Sequence, residues 1–222
     1  MCVKQPPNAS RRGSVRRVLI KSVRCHVVDK GSFDRGQRAW GDLSGLPGFL
    51  GQCGGWSHRE PAVAHVFAWW RSERSYQEFM AGAHDRLAAG QAGTYDTIEV
   101  RRWEHQLDVG ASLLADFSFP AGTVMRLARC RVKAGRQEHF VRAQAEVWNP
   151  GMGAARGMRG GVFARGDGTE FLVLSAWDSV ADHDGYVTDR FADLRRASRV
   201  TDDLEDITGD LVDLDPAWTV AP

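Results

Sequence analysis

Val23-Arg24-Cys25-His26-Val27 is followed, 105 residues later, by Ala128-Arg129-Cys130-Arg131-Val132. Three further echoes keep nearly the same spacing. Trp40 is matched by Trp148 at an offset of 108, Gly48-Phe49-Leu50-Gly51 by Gly157-Met158-Arg159-Gly160 at 109, and Trp70-Arg71-Ser72 by Trp177-Asp178-Ser179 at 107. Offsets that drift by so little mark one duplicated unit with small loop insertions. A chain of 222 residues has room for two such units.

Each unit reads in the same order. Residues 17–28 alternate as a strand, with Val23, Cys25 and Val27 on one face and Ser22, Arg24 and His26 on the other. Residues 33–43 form a short helix. A glycine-rich strand, Gly51-Gln52-Cys53-Gly54-Gly55-Trp56, precedes a continuously apolar one at 62–70 that must be buried. Ser75-Tyr76-Gln77-Glu78 has capping-box spacing and opens, or lies in the first turn of, a second helix. Tyr76, Phe79, Met80, Ala83 and Leu87 form its apolar stripe, and Ala88-Ala89-Gly90 ends it. A strand at 94–103 closes the unit. The order β-α-β-β-α-β is the ferredoxin-like plan.

The second unit repeats it with strands at 123–132, 160–165, 170–177 and 207–214 and helices at 137–148 and 180–194. The expected organisation is a basic, disordered tail at 1–16, unit 1 at 17–108, a linker at 109–122 and a more degenerate unit 2 at 123–218. A ferredoxin-like unit covers one sheet face with helices and leaves the other bare, so the two sheets must pair. The fold class is therefore α+β, a tandem pair closing an intrachain pseudo-dimeric α/β barrel.

Charge and cysteines narrow the function. Lys and Arg total 29 against 28 Asp and Glu, which gives no global reason to bind nucleic acid or a membrane surface. This balance hides a basic beginning, with no acidic residue before Asp29, and an end without Lys or Arg after Arg199. The basic beginning lacks the apolar core of a secretory signal, and no apolar run spans a bilayer. Cys2, Cys25, Cys53 and Cys130 show neither redox nor zinc spacing. The expectation is a cytoplasmic protein with reduced thiols.

Ala68-Trp69-Trp70-Arg71-Ser72-Glu73-Arg74-Ser75-Tyr76-Gln77-Glu78-Phe79 resembles the strand-to-helix signature of the dimeric α/β-barrel superfamily, which includes antibiotic-biosynthesis and haem-degrading monooxygenases. Ala176-Trp177-Asp178-Ser179 repeats it in shorter form. The run from Gly48 to Trp56, with His84-Asp85-Arg86-Leu87 and Thr94-Tyr95-Asp96, is similar to a bacterial single-domain family of unknown function in that superfamily. The resemblance implies sheet-to-sheet pairing, supplied here within one chain, and a range of activities from oxygenation to non-catalytic binding.

His84 is the first candidate catalytic residue. It lies on the edge of the helical stripe, where an imidazole can serve as general base, hydrogen-bond an oxygenated substrate or ligate haem iron. A structural histidine at the core edge is the plain alternative. Trp56, Trp70, Phe67 and Tyr95 are candidate walls of a pocket between the sheet and helices of unit 1, though each also suits ordinary core packing. The expected partner is a small hydrophobic or aromatic molecule, with no cofactor or with haem. The expected assembly is a monomeric pseudo-dimer or a further homo-oligomer. Three functions compete: a monooxygenase-like enzyme, a haem-binding or haem-modifying protein, and a non-catalytic ligand-binding or assembly module.

Overall fold

The computed structural model describes residues 18–222, so the expected tail at 1–16 lies outside them. Unit 1 opens with β1 (Leu19–Val27), whose odd residues Leu19, Val23, Cys25 and Val27 pack under helices while Ile20 faces the opposite side. Helix α1 (Lys30–Arg38) starts before the apolar pattern does, because the Asp29 side chain accepts a hydrogen bond from the Ser32 backbone N–H and caps it. A 3₁₀ turn at Ala39–Leu43 leads to β2 (Phe49–Ser57) and β3 (Val63–Trp70). Ser72, not Ser75, caps α2 (Glu73–Ala81), accepting from the Ser75 N–H. The helix then breaks at Gly82 and resumes as α3 (His84–Ala88). Strand β4 (Tyr95–Asp108) is longer than its apolar pattern.

Unit 2 follows with β5 (Val124–Val132), α4 (Gln137–Ala143), a π-helical segment at Gln144–Trp148 and α5 (Asn149–Gly153). Strands β6 (Met158–Arg165) and β7 (Glu170–Trp177) come next. Then α6 (Val180–Tyr186), a second π-helical segment at Val187–Phe191, α7 (Ala192–Ser198) and α8 (Val200–Asp203) precede β8 (Leu204–Leu214).

The strands close a barrel in the order β1-β3-β2-β8-β5-β7-β6-β4, with every pairing antiparallel. The extra length of β4 explains one seam: its Glu104–Asp108 end pairs with β6 of the other unit. At the second seam Gly55 meets Leu214. A Cβ on Gly55 would stand 1.9 Å from the Asp213 carbonyl oxygen, so only glycine permits this approach. The glycine-rich strand is thus a product of barrel closure.

Two segments that sequence patterning leaves as connections are structural. Between the units, Leu113, Phe117 and Phe119 join the barrel core, where the Phe117 and Trp69 rings lie 5.3 Å apart. After β8 the chain crosses back to unit 1. Val220 pairs with Gln52 of β2, and the fully buried Trp218 packs on Phe33 and Trp56. Its indole N–H donates to Asp34 at 2.8 Å. Unit 2 therefore ends as a strap over the helical face of unit 1.

Candidate functional site

Each sheet has a cavity beneath its own helices. That of unit 1 encloses about 320 Å³ and is lined by residues of β1, β2, α1, α2 and β4 together with His84. Its walls are mainly apolar, including Trp40, Tyr76, Met80 and Tyr95, and Lys21, Gln37, Gln52 and His84 bring polar groups to it. Lys21 follows Leu19 and precedes Val23 on the helix-facing side of β1, with its ammonium 5.6 Å from the centre of the Trp40 ring. Burial lowers its pKa from 10.5 to about 8. No carboxylate among the described residues pairs with it.

Two amides accompany Lys21. Gln37 and Gln52 are each 3% exposed, line the cavity and leave their Nε2 atoms without a partner. The orientation of Gln37 is set by a chain of hydrogen bonds. The Trp40 indole can only donate, and it donates to Gln91 Oε1 at 2.9 Å. That fixes Gln91 Nε2 as the donor to Gln37 Oε1 at 3.1 Å. With its oxygen taken, Gln37 has N–H groups to offer the cavity. Such a site suits an acceptor, an oxyanion or a carbonyl.

His84 lies at this cavity with its Nδ1 2.9 Å from Asp85 Oδ1 and its ring between those of Trp40 and Phe79, at 6.1 and 5.6 Å. Tyr95 also lines it. The other three candidates stand elsewhere. Trp70 is in the same helical layer but stacks on Phe79 at 4.8 Å within the core. Trp56 packs against Phe33 and Trp218 beneath the Lys30 ammonium. Phe67 points into the barrel, stacked on His65, because strand alternation sends it opposite Trp70. Phe67 is therefore corrected from pocket wall to barrel core.

The cavity of unit 2 is larger, about 440 Å³, although sequence reading treats this unit as the degenerate one. Arg126 takes the register position of Lys21, 105 residues on, and faces this chamber from β5. Burial holds its guanidinium below its ordinary pKa. Gln144, Trp148 and Phe191, all in the two π-helical segments, line the cavity. Next to it, His183 is largely covered, its Nδ1 3.5 Å from Asp184 Oδ1, and burial together with the Arg126 charge lowers its pKa. Sequence reading missed Lys21 and Arg126. The available signal was a cation at the apolar parity of a strand, repeated at the spacing of the duplication.

A third cavity, about 310 Å³, opens at the polar end of the barrel. Several of its charges are paired: Arg24 with Glu60 at 3.0 Å, Arg129 with Glu99 at 3.1 Å and the buried His65 with Asp210 at 3.0 Å. Burial would raise the Glu99 pKa, but Arg101 and Arg129 hold it below its ordinary value. The strand-face arginines thus form intrachain ion pairs. Cys25 and Cys130 are free, buried thiols whose pKa values burial pushes up to about 11 and 12. Among the described residues no cluster could hold a metal ion, and no helix is long and apolar enough to cross a membrane.

Comparison with known proteins divides the chain at the same place. Residues 19–103 match a domain of unknown function, DUF4937, and residues 123–199 match the antibiotic biosynthesis monooxygenase domain. The uncharacterized protein YdbC of Bacillus subtilis is 34% identical over 74 residues, covering 32% of this chain and 62% of that relative. The chain thus spans less than two thirds of YdbC. Whole-chain similarity appears in structure. A candidate monooxygenase from Fusobacterium nucleatum aligns with a TM-score of 0.76 at 8% identity, over 90% of this chain and 94% of its own. One from Lactobacillus acidophilus aligns with a TM-score of 0.73 at 13% identity, over 92% and 96%. The fold is that of monooxygenase-like ferredoxin-fold proteins.

Proposed function

We propose that the chain is a monooxygenase-like enzyme whose unit 1 cavity takes a small hydroxyaromatic or enolisable metabolite. The observation that carries this reading is the convergence of Lys21, Gln37 and Gln52 on an otherwise apolar chamber. Donors held in place before reaction stabilise an oxyanion without reorganisation, and an apolar surround strengthens them. His84, with Asp85 on one ring nitrogen, is the group placed to take a proton at the cavity wall.

Such a reaction balances with dioxygen alone. For a methylene flanked by hydroxyaromatic rings, loss of a C–H proton gives an anion that delivers its electrons to O₂. One oxygen atom remains as a new carbonyl; the other leaves as water with the two methylene hydrogens. The protein's share is to hold the anion, keep bulk water away and return protons.

Haem, the alternative cofactor, fits this cavity poorly. A porphyrin on His84 would have to fit beside the Trp40 and Phe79 rings, 6.1 and 5.6 Å from the imidazole, in a cavity of about 320 Å³.

The test is oxygen uptake and binding with a panel of hydroxyaromatic and quinol substrates. At least one should be consumed, with turnover at least tenfold lower in Lys21→Met and in His84→Ala, on the scale of lost electrostatic or acid–base assistance. Binding without uptake would point to a ligand-binding module, and absence of both would overturn the reading. A Soret band on haemin titration that disappears in His84→Ala would restore the haem alternative.

A further inference from the structure

Arg126 repeats the position of Lys21 but faces a different chamber. No group among the described residues neutralises it. Glu205 and Asp206, which also line the unit 2 cavity, lie 3.5 and 3.7 Å from Arg131 and are engaged there. The ionisable neighbours Tyr186 and Cys130 are kept protonated by burial, with pKa values pushed up to about 12. His183 and Arg195, also near or on the cavity wall, bring no negative charge. Arg126 forms no ion pair with any described residue.

An enclosed guanidinium facing apolar walls needs water or a ligand anion to compensate it. Arg126 rises from the strand floor against the apolar wall whereas Arg195 is exposed, and the planar fork of an arginine matches a carboxylate in two parallel hydrogen bonds. A dianionic phosphate would bring a second negative charge into a chamber whose wall already carries Glu205 and Asp206 beside the apolar Phe140, Met152 and Val173.

The helices above the cavity supply an independent observation. Both are interrupted by π-helical segments, Gln144–Trp148 and Val187–Phe191, which set the Trp148 and Phe191 rings 5.5 Å apart at the chamber wall. Such segments widen a helix, are rare, and recur at functional sites. The described helices of unit 1 contain none.

We propose that the unit 2 cavity is a second binding site, selective for an apolar monocarboxylic acid whose carboxylate sits on Arg126 and whose body lies among Phe140, Trp148, Met152 and Phe191. This site stands independently of the oxygenation assigned to unit 1. Its ligand resembles a substrate or effector with one ionised end and an aromatic or branched hydrocarbon body.

The test compares 2-naphthoate with the neutral 2-naphthalenemethanol by isothermal titration calorimetry on the full chain. The wild type should bind the acid about 10- to 100-fold more tightly, the range expected for a hydrogen-bonded charge in an enclosed site. In Arg126→Gln that preference should fall to near unity while the alcohol binds as before; Arg126→Lys should keep part of it. Ala128→Leu, which narrows the same chamber from β5, should weaken acid and alcohol together. Near-UV circular dichroism verifies that each variant is folded. An acid isotherm unchanged in Arg126→Gln would place the carboxylate elsewhere and overturn the proposal, as would failure of the wild type to bind either probe.

Discussion

Units 1 and 2 carry a cation at the same register of their first strands, yet they build different rooms around it. Unit 1 gives Lys21 two amides with free donors and an unbroken, ordered chain from Trp40 through Gln91 to Gln37. Unit 2 gives Arg126 a larger chamber beneath helices widened by π-helical segments. The strand scaffold has stayed similar while the helical layer has diverged. In a duplicated barrel this is the expected division, because strand residues must satisfy barrel closure whereas helical residues need only cover a face.

The units also differ in what reaches them from outside. The segment before β5 turns inward and fills the barrel, whereas the segment after β8 stays outside and covers unit 1. The largest effect is therefore expected at the strap. Trp218→Ala removes a fully buried indole that bridges Phe33 and Trp56, and should cost about 3–5 kcal/mol in urea denaturation. A loss below about 1 kcal/mol would show unit 1 to be self-sufficient.

The two cations provide a sharper contrast. Lys21 has a folded pKa of about 8 against an ordinary 10.5, so the native state binds fewer protons than the unfolded chain between those values. Its cost to stability is full below about pH 8 and is relieved as the pH rises toward 10.5. Lys21→Met should thus be more stable than wild type at pH 7, by up to about 3 kcal/mol, with the gap closing through that alkaline window. Arg126→Met should show no such closing, since a guanidinium stays charged there. Parallel behaviour of the two variants in pH-dependent melting would remove the distinction.

The smallest effect concerns the exposed rims. Lys30 lies 4.6 Å from the centre of the Trp56 ring, and Arg165 5.9 Å from that of Phe171. Each cation–π contact should contribute about 0.5–1 kcal/mol. Lys30→Ala should lower thermal stability more than Arg165→Ala; the reverse order would make the difference in distance irrelevant.

The candidate site was only partly legible. His84 could be placed on a helix edge from spacing, but the break at Gly82 that makes it the first residue of a new helix has no periodic signature. Phe67 and Trp70 could be assigned to opposite faces of β3, yet alternation does not say which face meets the barrel and which the helices. Gln37 and Gln52 look like ordinary polar residues in sequence. Their role depends on which of their atoms already has a partner.

The sequence by itself determined the duplication, the order of elements and the need for two bare sheet faces to meet. Those follow from local periodicity and from repeated anchors such as Cys25 with Cys130 and Trp70 with Trp177. Tertiary structure alone decided that the connection between units plugs the barrel, that the terminal strap carries Trp218 onto Phe33, and that Lys21 and Arg126 face cavities without carboxylate partners among the described residues. Periodicity is a property of neighbours along the chain. Whether a buried charge or amide is satisfied depends on groups brought together from distant positions.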